Sequence, residues 1–246
     1  MTTTFLEHVR SRLALHELRT GQGNPLLILH GLGECSPSAI PGIVQGWQGP
    51  VFALDFTGHG ASTVPVAGGY TCEALMSDAD AVLAEIGPVT LLGYGLGGYV
   101  GLLLFGSRPT EIKGLIIMDG PGLDGGGGRP TSPMLMRVSQ SDLDGSAPDP
   151  WALAELASDV RPPSYAADHV RQIQELSGMD TAVVVACLGR PEWLTEALNS
   201  PVVVESDVTT ALLTFSSIYP YSLAPFPTGE SSCPDSGKEG HDWCRQ

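Results

Sequence analysis

The chain is poor in basic residues. Its 246 residues hold 12 Lys and Arg against 27 Asp and Glu, a formal net charge of -15. Nucleic-acid binding needs clustered cations facing phosphates, so that class of partner is excluded. Cysteine is scarce and unpatterned. Cys35, Cys72, Cys187, Cys233 and Cys244 show no C-x-x-C spacing, which removes the usual zinc and redox motifs; no metal is expected. Reduced thiols in a cytoplasmic setting are the expectation. A long unbroken apolar run is also missing. The longest weakly polar stretch, "VTLLGYGLGGYVGLLLF" from Val89 to Phe105, is interrupted by glycines, so no membrane span is expected. The opening "MTTTFLEHVRSR" has no apolar core of the signal-peptide kind.

What is present is a 42% hydrophobic content, enough to build a core. "LALHELR", Leu13 to Arg19, alternates as an edge strand does. "LLIL" (Leu26–Leu29), "VFAL" (Val51–Leu54), Val89–Leu92 and "LIIM" (Leu115–Met118) are short apolar runs that fit strands buried on both faces. Between them, Thr71 to Ile86 predicts a capped amphipathic helix with Leu75, Ala79, Val82 and Ile86 on one face. A second helix follows the glycine turn at 93–97 and runs to about Ser107. This alternation predicts an α/β fold with a mostly parallel, doubly wound sheet, whose loops at the strands' carboxyl ends form the site.

From Gly122 the pattern changes. Trp151–Val160 and Tyr165–Leu176 read as two short helices around "RPP", so residues 123–178 are expected to form a small helical cap insertion between a first core part (1–122) and a second (179–215). Strands are expected at Ala182–Ala186 and Val202–Val204, with Asp207 capping a helix Val208–Phe215. Residues 216–246, rich in Pro, Ser and Gly, read as a disordered tail.

Three loops follow three buried strands in order: "HGLGE", "DFTGHGAS" and "GYGLGG". In this order and spacing they resemble the α/β-hydrolase superfamily over about Leu13 to Phe215. The resemblance implies an oxyanion hole from His30, Gly31, Leu32 and Gly33, with a second backbone donor at Leu96, because developing negative charge requires N–H groups aimed at it. It gives Asp55, His59 and Ser62 bracing roles. It also implies a serine at the centre of the tight strand-to-helix turn. The residue there is Gly95, which carries no nucleophilic atom.

The other catalytic partners implied by the family are equally hard to place. Asp119, after "LIIM", is a possible acid; Glu192 is the acidic residue after "AVVVA"; no histidine follows "VVV" before His241 in the tail, and His169 is expected to be exposed on a helix. The resulting expectation is a hydrolase-type protein without serine-triad catalysis and without a cofactor, binding a small carbonyl or carboxylate compound. Three alternatives stay open. Water activated by Asp119 or His30 would give a hydrolase or lyase. Gly93-x-Gly95-x-x-Gly98 with Asp119 also matches a dinucleotide-binding pattern, which would make the protein an NAD-dependent oxidoreductase. A purely structural or interaction role is the third.

Overall fold

The computed structural model describes residues 1–126 and 145–218. Eight strands form one sheet in the order β1-β2-β4-β3-β5-β6-β7-β8. They are β1 (Thr2–His8), β2 (Ser11–Arg19), β3 (Leu26–Leu29), β4 (Val51–Asp55), β5 (Val89–Tyr94), β6 (Ile112–Met118), β7 (Val183–Ala186) and β8 (Val203–Glu205). The first two pairings, β1–β2 and β2–β4, are antiparallel and all others parallel. The apolar runs are central because both of their faces are covered: every residue of β3 is buried.

Leu13–Arg19 is not an edge. The opening segment, Thr2–His8, folds back as a hairpin and takes the edge position, pairing Thr2 with Glu17 through His8 with Ser11. Phe5 and Leu6 are its apolar residues and fall on opposite faces, so it has no apolar alternation to read, and its mostly exposed side chains suit a sheet edge.

Helices α1 (Cys72–Ile86), α2 (Leu96–Ser107), α4 (Pro163–Leu176) and α5 (Glu192–Ala197) stand side by side on one face. That face buries Leu27, Leu29, Leu91, Leu115, Ile117, Val183 and Val185. The opposite face, with Leu26, Ile28, Leu92, Ile116 and Val184, is covered by α6 (Val208–Ile218) and by Trp47 beyond a single 3-10 turn at Gly42–Val44. Thr71 caps α1 as its spacing predicts, accepting from Ala74 N–H at 3.1 Å. α6 runs to Ile218, so the first residues expected in the tail are helical; residues 219–246, His241 among them, and 127–144 of the inserted segment lie outside the described residues.

The two helices expected in an inserted segment have different places. α4 belongs to the helical layer beside the sheet, between α2 and α5. α3 (Pro150–Ser158) lies over the loops instead. A Cβ on Gly33 would meet its Leu153 at 2.8 Å, and Glu155 accepts from the N–H groups of Gly69 and Tyr70, each at 2.7 Å. Among the described residues no helix is long and apolar enough to cross a membrane.

Candidate functional site

β3, β4, β5 and β6 end side by side, so the loops that follow them converge at one edge of the parallel sheet. In the loop after β3 the backbone N–H groups of Gly31, Leu32 and Gly33 all have acceptors. Gly31 N–H donates to Glu34 Oε2 at 3.1 Å and Gly33 N–H to His59 Nε2 at 3.2 Å. Leu32 N–H points elsewhere, to the carbonyl oxygen of Pro121 at 3.0 Å.

The elbow after β5 points to the same atom. Gly95 adopts φ +52° and ψ −114°, left-handed backbone that suits glycine, and starts α2. Leu96 N–H, the first donor of that helix, also reaches Pro121 O at 3.0 Å. The structure therefore brings Leu32 and Leu96 together as the resemblance implies, and seats a backbone carbonyl of the same chain on both N–H groups. The contact is tight because side chains are missing around it. A Cβ on Gly31 would stand 2.8 Å from Pro121 Cδ, and one on Gly122 would stand 2.7 Å from Leu32 Cβ. A Cβ on Gly95 would lie 2.2 Å from Pro121 O, with Gly120 C at 2.4 Å. The position from which a side chain at residue 95 would project is filled by the backbone of Gly120–Pro121.

The strap after β6 is held from outside as well. Arg161 Nη1 donates to the carbonyls of Gly122 and Leu123, the latter at 2.6 Å, and Trp193 Nε1–H donates to Leu123 O at 3.0 Å.

His30 does not face this space. It is buried, Phe56 N–H donates to its Nε2 at 3.1 Å, and its Nδ1 therefore carries the proton given to Gly31 O at 2.7 Å. Both ring nitrogens are engaged in bracing. Burial, followed by the neighbouring His59 ring, pushes its pKa down to about 4, so it stays neutral. Asp119 is exposed, and its two oxygens accept from Leu188 N–H at 2.8 Å and Gly189 N–H at 3.0 Å in the loop after β7. It ties the loops after β6 and β7 together.

The loop after β4 is bracing throughout, as expected. Asp55 accepts from Ser36 N–H at 2.7 Å, Ala61 N–H at 2.7 Å and His16 Nε2 at 3.0 Å. Burial alone would raise its pKa; the Ala61 and Ser36 donors and His16 outweigh that and hold it below the usual carboxylate range. Ser62 Oγ accepts from Ala14 N–H and donates to Asp55 O, and Thr57 N–H donates to the buried Asp78 at 2.8 Å. Burial lifts Asp78 to about 6. His169 is buried, not exposed: it packs under α2, where a Cβ on Gly106 would meet its Nδ1 at 2.3 Å, and its ring meets Tyr165 edge-on at 4.8 Å. The gap left by Gly106 turns a helical surface position into a core one. Glu192 is the first residue of α5. Among the described residues no group of three His, Cys, Asp or Glu could hold a metal.

Sequence reading overlooked the Gly120–Pro121–Gly122 strap, Arg161 and His16. Only the first left a visible signal, a proline between two glycines directly after an apolar strand.

An eight-stranded sheet in this order, with an elbow after its fifth strand and a paired donor loop after its third, defines the α/β-hydrolase fold. The chain belongs to the alpha/beta hydrolase family, whose model matches residues 26–228. It is similar to the soluble epoxide hydrolase of a Corynebacterium species, 28% identical over 152 residues that cover 59% of this chain and 52% of that one. It is also similar to lipase LipV of Mycobacterium tuberculosis, 32% identical over 115 residues, 43% of this chain and 41% of that one. The chain spans about half the length of the curated relatives it matches. Among solved structures, the thioesterase domain from the curacin biosynthetic pathway aligns with a TM-score of 0.60 at 16% identity, covering 89% of this chain and 98% of that chain. A bromoperoxidase from Bacillus anthracis aligns with a TM-score of 0.59 at 16% identity, covering 88% and 100%. At such identities the shared property is the fold.

These findings drop the dinucleotide reading. Its glycines have packing duties instead: a Cβ on Gly98 would meet Ile117 Cγ2 at 2.8 Å, and one on Gly93 would meet Gly97 C at 2.5 Å. Asp119, its ribose ligand, is committed to the β7 loop.

Proposed function

We propose that this chain is a member of the family that does not hydrolyse esters through a serine-type acyl intermediate and instead binds a small carbonyl or carboxylate compound at the strand-end loops. The observation that carries the reading is the Pro121 carbonyl, which takes the Leu32 and Leu96 N–H groups while Gly95 offers no attacking atom. Acyl transfer needs both a nucleophile and free donors for the oxyanion. Water attack with His30 or Asp119 as base is disfavoured by the bracing bonds of both residues. The bulk acidity of the chain fits a ligand rather than a nucleic acid as partner. A reducing, cytoplasmic setting fits the unpaired buried thiols of Cys72 and Cys187.

The test is a panel of activated esters and a fluorophosphonate probe applied to the purified chain. The expected outcome is hydrolysis at the buffer rate and no covalent adduct. Saturable turnover, or labelling of any residue of the elbow, would overturn the proposal.

A further inference from the structure

Arg161 stands between α3 and α4 and is 4% exposed. Its Nη1 is fully occupied by the carbonyls of Gly122 and Leu123. Its guanidinium carbon lies 4.7 Å from the centre of the Tyr99 ring, which fixes the plane of the group. Its Nε and Nη2 are buried and have no hydrogen-bond acceptor among the described residues. Those two atoms form the side-on edge of the guanidinium, the edge that matches the two oxygens of a carboxylate. Asp159 lies nearby but accepts from Cys72 N–H at 3.1 Å. Among the described residues no carboxylate comes within ion-pair distance of Arg161. That edge lies against Gly125, where a Cβ would fall 2.6 Å from Nε, so only glycine fits beside it.

A buried cation with an unmatched bidentate edge is costly to the fold, because its desolvation is not offset. Unsatisfied buried donors of this kind call for an anionic partner. We infer that Arg161 is the anchor of a carboxylate subsite, taking a small organic carboxylate through Nε and Nη2. The subsite adjoins the elbow. Tyr99 lies one turn along α2 from Leu96, and the carbonyls held by Nη1 belong to the two residues after Pro121. The inference deepens the reading above and rests on it for taking the strand-end loops as a small-molecule site. It narrows the ligand class to carboxylates and names the residue that selects them.

The experiment follows the Nε–H resonance of Arg161 in the full chain labelled with 15N-arginine, assigned by its disappearance in Arg161→Lys. Sodium benzoate and sodium succinate are the probes; benzamide and sodium chloride at matched ionic strength are the controls. The expected result is a saturable shift with at least one carboxylate and none with either control. Arg161→Lys, which keeps the charge but not the fork, should weaken binding by about tenfold or more in a thermal-shift titration. No saturable shift with either carboxylate, an equal shift with chloride, or unchanged affinity in Arg161→Lys would overturn the subsite. If the variant fails to fold, a thermal-shift titration of the unmodified chain with the same probes and controls decides: saturable stabilisation by a carboxylate alone supports the subsite, and none overturns it. Ester turnover in the panel described above would refute the non-hydrolytic reading and leave this titration to be judged by itself.

Discussion

Gly60 and Gly95 sit in the loops after β4 and β5 with the same backbone angle, φ +52°. Each closes on an oxygen where its Cβ would stand. At Gly60 that oxygen is Asp55 Oδ2, at 2.1 Å; at Gly95 it is the carbonyl of Pro121, at 2.2 Å. The first loop wraps a charged side chain that three donors stabilise. The second wraps a neutral backbone group held by two donors. One turn is architecture built on an ion, which cannot leave without a large penalty. The other is a donor pair occupied by a carbonyl, which any stronger acceptor can contest. Two glycine turns of one shape thus differ in what they can exchange.

The comparison is broken most severely at Asp55. Asp55→Ala strips the acceptor from Ser36, Ala61 and His16 together, and the expected loss is about 4 kcal/mol in urea unfolding. A loss below 1 kcal/mol would show that the loop is held by something else. Gly95→Ser places a Cβ against Pro121 O and Gly120, with an unfavourable left-handed backbone added. The expected cost is about 3 kcal/mol, with no esterase activity gained. A stable variant that cleaves p-nitrophenyl acetate would show that the strap moves aside and that a base is within reach.

Acid sharpens the contrast further. His30 and His59 are both held below their ordinary values, burial being the first cause in each case. The unfolded chain takes up protons near pH 6.5 while folded His30 resists until about 4. Stability therefore falls as the pH drops through that window. Asp78, lifted to about 6, works the other way, since the folded chain binds its proton first. His30 and Asp78 together leave a net expected loss of about 1 kcal/mol between pH 6.5 and 4, to which His59 adds in the same direction, and Asp78→Asn should steepen it. Asp55, held low, adds its own loss only as the pH falls below the ordinary carboxylate range and through its folded value. Urea midpoints across that range check all three signs.

The smallest effect belongs to α3. Tyr70 O–H donates to Asp149 Oδ2 at 2.6 Å, and Asp149 caps α3. Tyr70→Phe leaves that buried acceptor with its Trp151 N–H bond only and should cost roughly 1 kcal/mol, with faster hydrogen exchange confined to α3.

The core strands, α1 and α4 were legible because burial on two faces demands continuous apolar runs and burial on one face demands a period of 3.6, whereas α2, buried from Leu96 through Gly106, was legible from the glycine turn before it. β1 was not, since an exposed edge strand needs no apolar residue. α5 was not, at six residues too short to show a period. At the site, the three loops were legible from their glycines. Their polar residues were sorted only in part: Asp55, His59 and Ser62 were expected to brace, whereas the engagement of both nitrogens of His30 and both oxygens of Asp119 depends on partners in distant loops.

By itself the chain's order of residues determined the fold and the chemical emptiness of position 95, because strand burial is a local pattern and glycine has no side chain in any environment. Only the tertiary structure decided what fills that emptiness. Residues 32, 96 and 121 share one oxygen, and residues 122, 123 and 161 share one guanidinium nitrogen, through contacts between segments that no periodicity links. Hydrogen bonds act over about 3 Å in space, whatever the separation along the chain.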